Sequence, residues 1–271
     1  MMKDEQDEFY IGWQDEAPTS FKKIRTLFFS MAILLLLGFA WFFARAEVGF
    51  IDSYFDYGNL TEVKGRLVTE PVPALLTMVS GQIKTVPLVG FGKFGAGPVL
   101  ESFKAKLGPD LSQHEVVIRG TLFYYKDKQW MELTEGSESL VSFSQATSLI
   151  REVAEGGTVT LSGEIVDPKC FFGVMNPATK AVHRSCARRC ISGGIVPVLA
   201  IREAGQFVDY YLLQDGGSGD IFQDILPYVG VPVTITGAVK QYDDWKVLTI
   251  NHPSLTQIAV HPDPTIATCL D

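Results

Sequence analysis

Three of the four cysteines and one of the four histidines fall within one short segment in the second half of the sequence. The residues that could bind a metal there are Cys170, His183, Cys186 and Cys190. The spacings of three and four residues among the last three would align them on one face of a helix. Cys170 would then approach from the end of a strand and complete the set. Thiolates and a neutral imidazole suit zinc, and copper(I) is the second choice.

A disulfide is the main alternative to this metal site, because cysteines of exported proteins normally oxidise. Cys170 could pair with Cys186 or Cys190, which would leave another thiol for Cys269 near the C-terminus. A thiol redox role for Cys186 and Cys190 is a third possibility. The types and spacing of the residues leave all three chemistries open.

The same segment is strongly basic, since residues 168–190 contain no acidic side chain. Its basic residues are Lys169, Lys180, Arg184, Arg188 and Arg189. We expect this positive field to lower the pKa of a neighbouring thiol and so to favour the thiolate.

The elements that carry this segment begin with an apolar run near the N-terminus. From Leu27 to Ala44 the sequence has no charged residue, which is long enough to cross the hydrocarbon core of a membrane. The distal end of the run carries bulky aromatic residues instead of a small-residue cleavage site, which favours a retained anchor over a signal peptide. We therefore predict a transmembrane helix over residues 26–45.

The charges that flank the run predict its orientation. Lys22, Lys23 and Arg25 precede it closely, and such positive residues normally remain in the cytoplasm. The sequence thus predicts a single-pass protein in the lipid bilayer of a bacterial inner membrane. Residues 1–25 would form a cytoplasmic tail, and the body would be periplasmic or extracellular.

A weak internal repeat predicts the fold of the body. VKGRLVTEP (63–71) resembles LSGEIVDPK (161–169), and VVIRGTLFYYKDKQWMEL (116–133) resembles VTITGAVKQYDDWKVLTI (233–250). Each half also has one candidate helix, at 99–107 and 220–229. Three strands, a helix and two more strands are the order of an OB-fold. The predicted fold class is mainly β, with a transmembrane helix followed by two OB-fold-like small β-barrels.

The two halves differ by an insertion. Gly65 and Gly120 lie 55 residues apart, whereas Gly163 and Gly237 lie 74 apart, so the second half has gained 19 residues. We place the extra chain in a Cys/His loop over 168–194, between the first two strands of the second barrel. In chain order, the predicted domains are a first barrel at 58–140, a helical linker at 141–156, a second barrel at 157–262 and a tail at 263–271.

Charge and motifs limit the possible functions. The net charge of -8 argues against binding nucleic acid, and no motif of a serine hydrolase, nucleotide-binding loop, zinc protease or c-type haem site occurs. An enzyme is therefore the less favoured class.

Phe9, Tyr10 and Trp13 in the acidic tail could dock on a membrane protein partner. The sequence favours an accessory or assembly subunit of a membrane protein complex. The alternative is a metal or haem carrier, or a thiol oxidoreductase, using the same cysteines.

The loop HRSCARRCISGGIVP, set between GEIVDPKC and a following strand, resembles a pattern of bacterial membrane-anchored exported OB-fold-like proteins. The resemblance covers about residues 157–250. It implies that Cys170, His183, Cys186 and Cys190 form the distinctive site, and it implies no particular activity. The architecture is also loosely similar to that of the membrane-tethered OB-fold haem chaperones of cytochrome c assembly, without any matching residues.

Overall fold

The computed structural model describes residues 19–46, 53–146, 151–203, 206–217, 221–251 and 259–260. It divides into an N-terminal unit and a body that begins at Ile51. The N-terminal unit contains helix α1 (Thr19–Ala46), whose segment Phe21–Arg45 is long and apolar enough to cross a membrane. The helix begins seven residues before the predicted span, because the intervening lysines and arginine are good helix formers. The predicted tail residues Phe9, Tyr10 and Trp13 lie outside the described residues.

The first half of the body is a closed five-stranded barrel. The elements of this half, in chain order, are β1 (Ser53–Phe55), β2 (Thr61–Val68), β3 (Ala74–Val79), β4 (Gln82–Gly90), α2 (Gly97–Leu107), β5 (His114–Tyr125), β6 (Lys128–Leu133) and β7 (Leu140–Gln145). The barrel runs β2-β3-β4-β6-β5 and closes where β5 pairs with β2. Only the β4–β6 pairing within this ring is parallel. This strand order, with α2 between the third and fourth barrel strands, confirms the predicted OB-fold arrangement.

The second half repeats this arrangement. Its elements are β8 (Val153–Val166), α3 (Lys180–Ser192), β9 (Val198–Glu203), β10 (Gln206–Asp215), α4 (Ile221–Asp224), β11 (Pro232–Tyr242), β12 (Trp245–Ile250) and β13 (Ala259–Val260). The ring runs β8-β9-β10-β12-β11 and closes on β8, again with one parallel pair, β10 with β12. The predicted insertion is confirmed, because α3 lies between β8 and β9.

Equivalent glycines explain why the repeat is visible in the sequence. A Cβ on Gly65 would lie 2.6 Å from the carbonyl oxygen of Leu76, and a Cβ on Gly163 would lie 2.6 Å from that of Ala200. In each barrel the first strand therefore passes so close to the second that only glycine fits.

The helical linker predicted for residues 141–156 is wrong for its described residues. Residues 141–145 belong to β7, where Phe143 pairs with Val116, and residues 153–156 belong to β8, where Val153 pairs with Tyr242. Strand pairing with β5 and β11 outweighs the local helical spacing, since tertiary contacts override weak helix propensity. The first sheet thus extends to Gln145 and the second begins at Val153. Residues 147–150 and the predicted tail at 263–271 lie outside the described residues.

The two barrels pack against each other through an aromatic cluster that we call the shared core. Trp130 of the first barrel stacks on Phe172 of the second, with ring centroids 5.8 Å apart, and meets Trp245 edge-on at 5.5 Å. The indole Nε1 of Trp245 donates a hydrogen bond across the interface to the carbonyl oxygen of Thr85, at 3.1 Å. All three rings are almost completely buried. The body is consequently one compact unit, although its sequence reads as two domains.

Candidate metal centre

A short turn directly after β8 positions Cys170. The buried carboxylate of Asp167 accepts hydrogen bonds from the backbone N–H groups of Lys169 and Cys170, at 3.0 and 3.4 Å, and so starts the turn. The turn continues as one π-helical stretch, Cys170–Val174, in which Phe171 and Phe172 insert into the shared core. Packing of these two rings therefore holds Cys170 in place.

Helix α3 carries the other three predicted ligands. His183 and Cys190 are buried on its inner face and Cys186 is half-buried, whereas Arg188 and Arg189 point to solvent. The helix ends at Gly193 and Gly194, and Gly194 adopts a φ of 93°, which favours glycine. The two glycines therefore end the helix after Ser192.

The structure brings the predicted ligands together in two overlapping groups. The ligand atoms of Cys170, His183 and Cys186 all lie within 4.8 Å of one another, and so do those of Asp167, Cys170 and Cys190. Donor atoms around a tetrahedral zinc ion lie about 3.8 Å apart, so small side-chain rotations would close the first group around an ion. Neither group contains all four predicted ligands, because Cys190 falls in the second group.

His183 provides the most specific polar group of the site. Its side chain is only 2% exposed, and its Nε2 atom has no hydrogen-bond partner. An unpaired buried nitrogen is costly unless it binds something. Burial lowers the pKa of His183, with the positive charge of Lys93 adding to the effect and Asp167 opposing it. The imidazole is therefore neutral at pH 7, which is the form that ligates metals.

Cys170 does not follow the prediction that the basic segment lowers a thiol pKa. The pKa of Cys170 is raised, chiefly by its hydrogen bond with Cys190, by burial and by the nearby charge of Asp167. The basic side chains do not counter this effect. Lys169 is engaged elsewhere, and Arg184 donates a hydrogen bond to the carbonyl oxygen of Pro227. Such a thiol ionises only when a cation such as a metal replaces its proton.

Lys93 of the first barrel contributes a positive charge that the sequence analysis missed. Its Nζ atom donates a hydrogen bond of 3.4 Å to the sulfur of Cys186. The pKa of Lys93 is raised, mainly by this hydrogen bond and by the charge of Cys186. No sequence signal marks Lys93, because it lies 93 residues away from Cys186 and outside the Cys/His loop.

Lys169 anchors the site to the first barrel instead of exposing its charge. Its Nζ atom forms an ion pair with Glu132 at 3.1 Å and donates hydrogen bonds to the carbonyl oxygens of Gly90 and Gly92. Lys169 and Glu132 are about 95% buried. The pair fixes the start of the Cys170 turn against β4 and β6.

A cavity of about 600 Å³ opens beside the cysteines, between the two barrels. The first barrel and its flanking segments supply mainly apolar wall residues, and the second supplies sulfur-containing ones. The walls include Phe55, Leu60, Phe91, Cys170, Met175, Cys186 and Cys190. The volume is typical of ligand pockets.

Asp167 and Met175 also escaped the sequence analysis as residues of the site. The sequence around Asp167 indicates a turn residue, and Asp167 does start a turn in the structure. Its carboxylate also belongs to the second ligand group. Met175 carried no signal, because its place on the cavity wall depends on contacts between the two barrels.

Comparison of the chain with protein-family models, with curated proteins and with solved structures gives no match. The function is therefore inferred from the geometry of the Cys/His site, from the cavity and from helix α1.

Proposed function

We propose that this chain is a membrane-anchored accessory protein whose extracytoplasmic body holds a thiophilic metal ion on Cys170, His183 and Cys186. Zinc is the first choice and copper(I) the second, as the donor set indicates. The observation that carries the proposal is the buried Nε2 of His183, which has no partner and belongs to a side chain that lies beside two thiols. A disulfide would use two sulfurs and leave this nitrogen unpaired.

A metal titration of the full-length protein in mild detergent tests the proposal. We expect one equivalent of zinc to bind in competition with a chelating dye under reducing conditions. Cys186→Ser and His183→Gln should each weaken binding by more than about 100-fold, because even outer-shell changes cost about 10–100-fold. Cys190→Ser is the matched control, since Cys190 lies outside the first ligand group, and it should retain most of the affinity. Absence of zinc and copper binding in the wild type would contradict the proposal.

A thiol–disulfide couple of Cys170 and Cys190 is the second candidate function, favoured by the proximity of their two sulfur atoms, which lie within 4.8 Å of each other. It requires a partner dithiol or disulfide that exchanges with the pair. Counting free thiols in protein purified without reductant separates the two candidates. Two missing thiols at 170 and 190, together with no bound metal, would support the couple.

We base the orientation in the membrane on the charges near the start of α1, ahead of its apolar run. Lys22, Lys23 and Arg25 support a cytoplasmic N-terminus and an exported body. Alkaline phosphatase fused after Asp271 should be active in cells, because this reporter folds only after export. A fluorescent cytoplasmic reporter that is bright at the same position would contradict this orientation.

The partner is proposed to be a membrane protein complex. Anchoring of the body beside such a complex would raise its effective concentration without high intrinsic affinity. Protein purified in mild detergent should bring membrane proteins with it, and a variant with Phe9, Tyr10 and Trp13 changed to alanine should lose them. A monomer without companions would contradict this role.

A further inference from the structure

The cavity faces the side of the site that protein ligands leave uncovered. Cys170 and Cys186 lie on its wall together with Cys190, which belongs to the second ligand group, whereas the buried His183 does not line it. An ion held by these three residues would therefore have the imidazole on its inner side and the cavity on its outer side. Zinc prefers four ligands, so a three-residue set leaves one position for a ligand from outside.

The walls of the cavity select an apolar ligand. Phe55, Leu60, Phe91 and Met175 line the cavity, and Phe91 and Met175 are 64% and 45% exposed. The buried ion pair between Lys169 and Glu132 neutralises the carboxylate that also lines the cavity. Because the wall is mostly apolar, a hydrated or hard ligand would lose its water there and find few replacement hydrogen bonds beyond the hydroxyl groups of Thr121 and Thr134.

The charge of the site selects an anionic sulfur donor. A divalent zinc ion with two thiolates and a neutral imidazole has no net charge, so a third thiolate would leave one negative charge. Lys93 supplies the compensating positive charge, 3.4 Å from the sulfur of Cys186 and at the cavity wall. An ammonium group in contact with sulfur ligands stabilises the additional anion.

We infer that this cavity binds an apolar thiol whose sulfur becomes the fourth ligand of the metal, an inference that rests on the proposed metal centre. On binding, the thiol releases its proton to the buffer and its sulfur forms a bond with the metal, so no oxidant or reductant is needed. The thiol could belong to a small molecule, or it could be the side chain of a cysteine that is flanked by apolar residues in a partner protein. Both sources present the same chemistry.

The test uses full-length protein in detergent, loaded anaerobically with cobalt(II) as a coloured substitute for zinc. Without added thiol, the sulfur-to-cobalt charge-transfer absorption should correspond to two thiolates. Benzyl mercaptan should raise this absorption by about half, because the sulfur count rises from two to three. A tripeptide with cysteine between two phenylalanines distinguishes the sources: tighter binding of the tripeptide indicates a partner cysteine, and tighter binding of benzyl mercaptan a small molecule.

Two variants test whether the cavity walls bind the apolar group. Phe91→Ala should weaken benzyl mercaptan binding by about tenfold, because the apolar contact with the ring is lost. Phe94→Ala is the matched control, since Phe94 is similarly exposed, at 61%, but does not line the cavity. Neither variant should alter the affinity for cobalt.

The outcomes separate the inference from the proposed function. If cobalt does not bind, the metal centre and this inference are both wrong. If cobalt binds with an absorption that already corresponds to three thiolates, or that saturating thiol does not change, only the inference is overturned. Equal affinity for benzyl mercaptan and hydrophilic 2-mercaptoethanol would also overturn it, because the walls would then make no contribution.

Discussion

His183 and Cys170 are both held in their uncharged forms, for opposite reasons. Burial lowers the pKa of His183, so the folded protein resists adding a proton. The hydrogen bond of the Cys170 thiol to Cys190, together with burial, raises the pKa of Cys170, so the folded protein resists losing a proton there. Metal binding to this pair should consequently release the thiol proton of Cys170 and weaken as the pH falls.

These two shifts predict the pH dependence of stability in the metal-free protein. Unfolded His183 gains a proton below about pH 6.5 while folded His183 does not, so the free energy of unfolding should fall as the pH drops below that value. Unfolded Cys170 loses a proton above about pH 8.5 while the folded thiol keeps it, so stability should also fall above that value. Urea denaturation of the body at a series of pH values measures both effects.

Two variants isolate these contributions from those of other titrating groups. The stability loss below pH 6.5 should be smaller in His183→Gln, and the loss above pH 8.5 should be smaller in Cys170→Ser. Parallel pH profiles for the wild type and both variants would show that these residues do not produce the effect.

The ion pair of Lys169 and Glu132 should be costly to break. Because both side chains are buried, Glu132→Gln leaves an uncompensated lysine charge, which typically costs about 3–5 kcal/mol. Glu155→Gln is the control, since its pair with Lys240 is largely exposed and its loss should leave stability unchanged. Urea denaturation measures the difference, and equal midpoints for the two variants would contradict the account.

At the scale of elements, the end of α3 contacts the segment that carries Lys93. The backbone N–H of Gly95 donates to the carbonyl oxygen of Gly193 at 3.0 Å. A Cβ on Gly193 would lie 2.0 Å from the carbonyl oxygen of Lys93, which no side chain can tolerate without movement. The close approach of these two backbones therefore positions Lys93 over Cys186.

Gly193→Ala should displace the Lys93 segment and destabilise the body by about 1–3 kcal/mol, as overpacking usually does. It should also make Cys186 react more slowly with iodoacetamide, because the ammonium group of Lys93, which favours the reactive thiolate, moves away from the sulfur. Gly97→Ala is the matched control, since a Cβ there meets nothing within 4 Å. Unchanged stability and unchanged Cys186 reactivity in Gly193→Ala would contradict this role.

The sequence predicted the elements well where a local rule determined them. Glycines at close strand approaches revealed the repeat, and the spacing of His183, Cys186 and Cys190 predicted the helix that carries them. The helical linker was wrong because its apolar residues satisfy strand pairing with β5 and β11, a long-range contact that periodicity does not report. The positions of Lys93 and Met175 in the site depend on the packing of one barrel on the other, which no local pattern encodes.

At the scale of the whole molecule, the shared core makes the two barrels interdependent. Phe172 of the inserted loop contacts both Trp130 and Trp245, so the loop that carries Cys170 is also part of the inter-barrel core. The sequence predicted two domains, and their aromatic residues gave no sign that they would bury one another. A metal bound at the loop should thus stabilise both barrels together.

Trp245→Ala should destabilise the whole body by about 3–5 kcal/mol, because it removes a large ring from the shared core and its hydrogen bond to Thr85. In the wild type, tryptophan fluorescence and circular dichroism should report one coincident unfolding transition. Tyr57→Ala, at a side chain 85% exposed, should change little. Two separate transitions in the wild type would show that the barrels fold independently.

X-ray absorption at the metal edge, on protein purified from its native membrane, tests the metal centre most directly. We expect one zinc ion with two sulfur ligands at about 2.3 Å and an imidazole nitrogen at about 2.0–2.1 Å, with the imidazole signal lost in His183→Gln. Copper with the same ligands would keep the site and change only the metal. Protein without metal and with Cys170 bonded to Cys190, or a metal bound only by oxygen and nitrogen, would contradict the account.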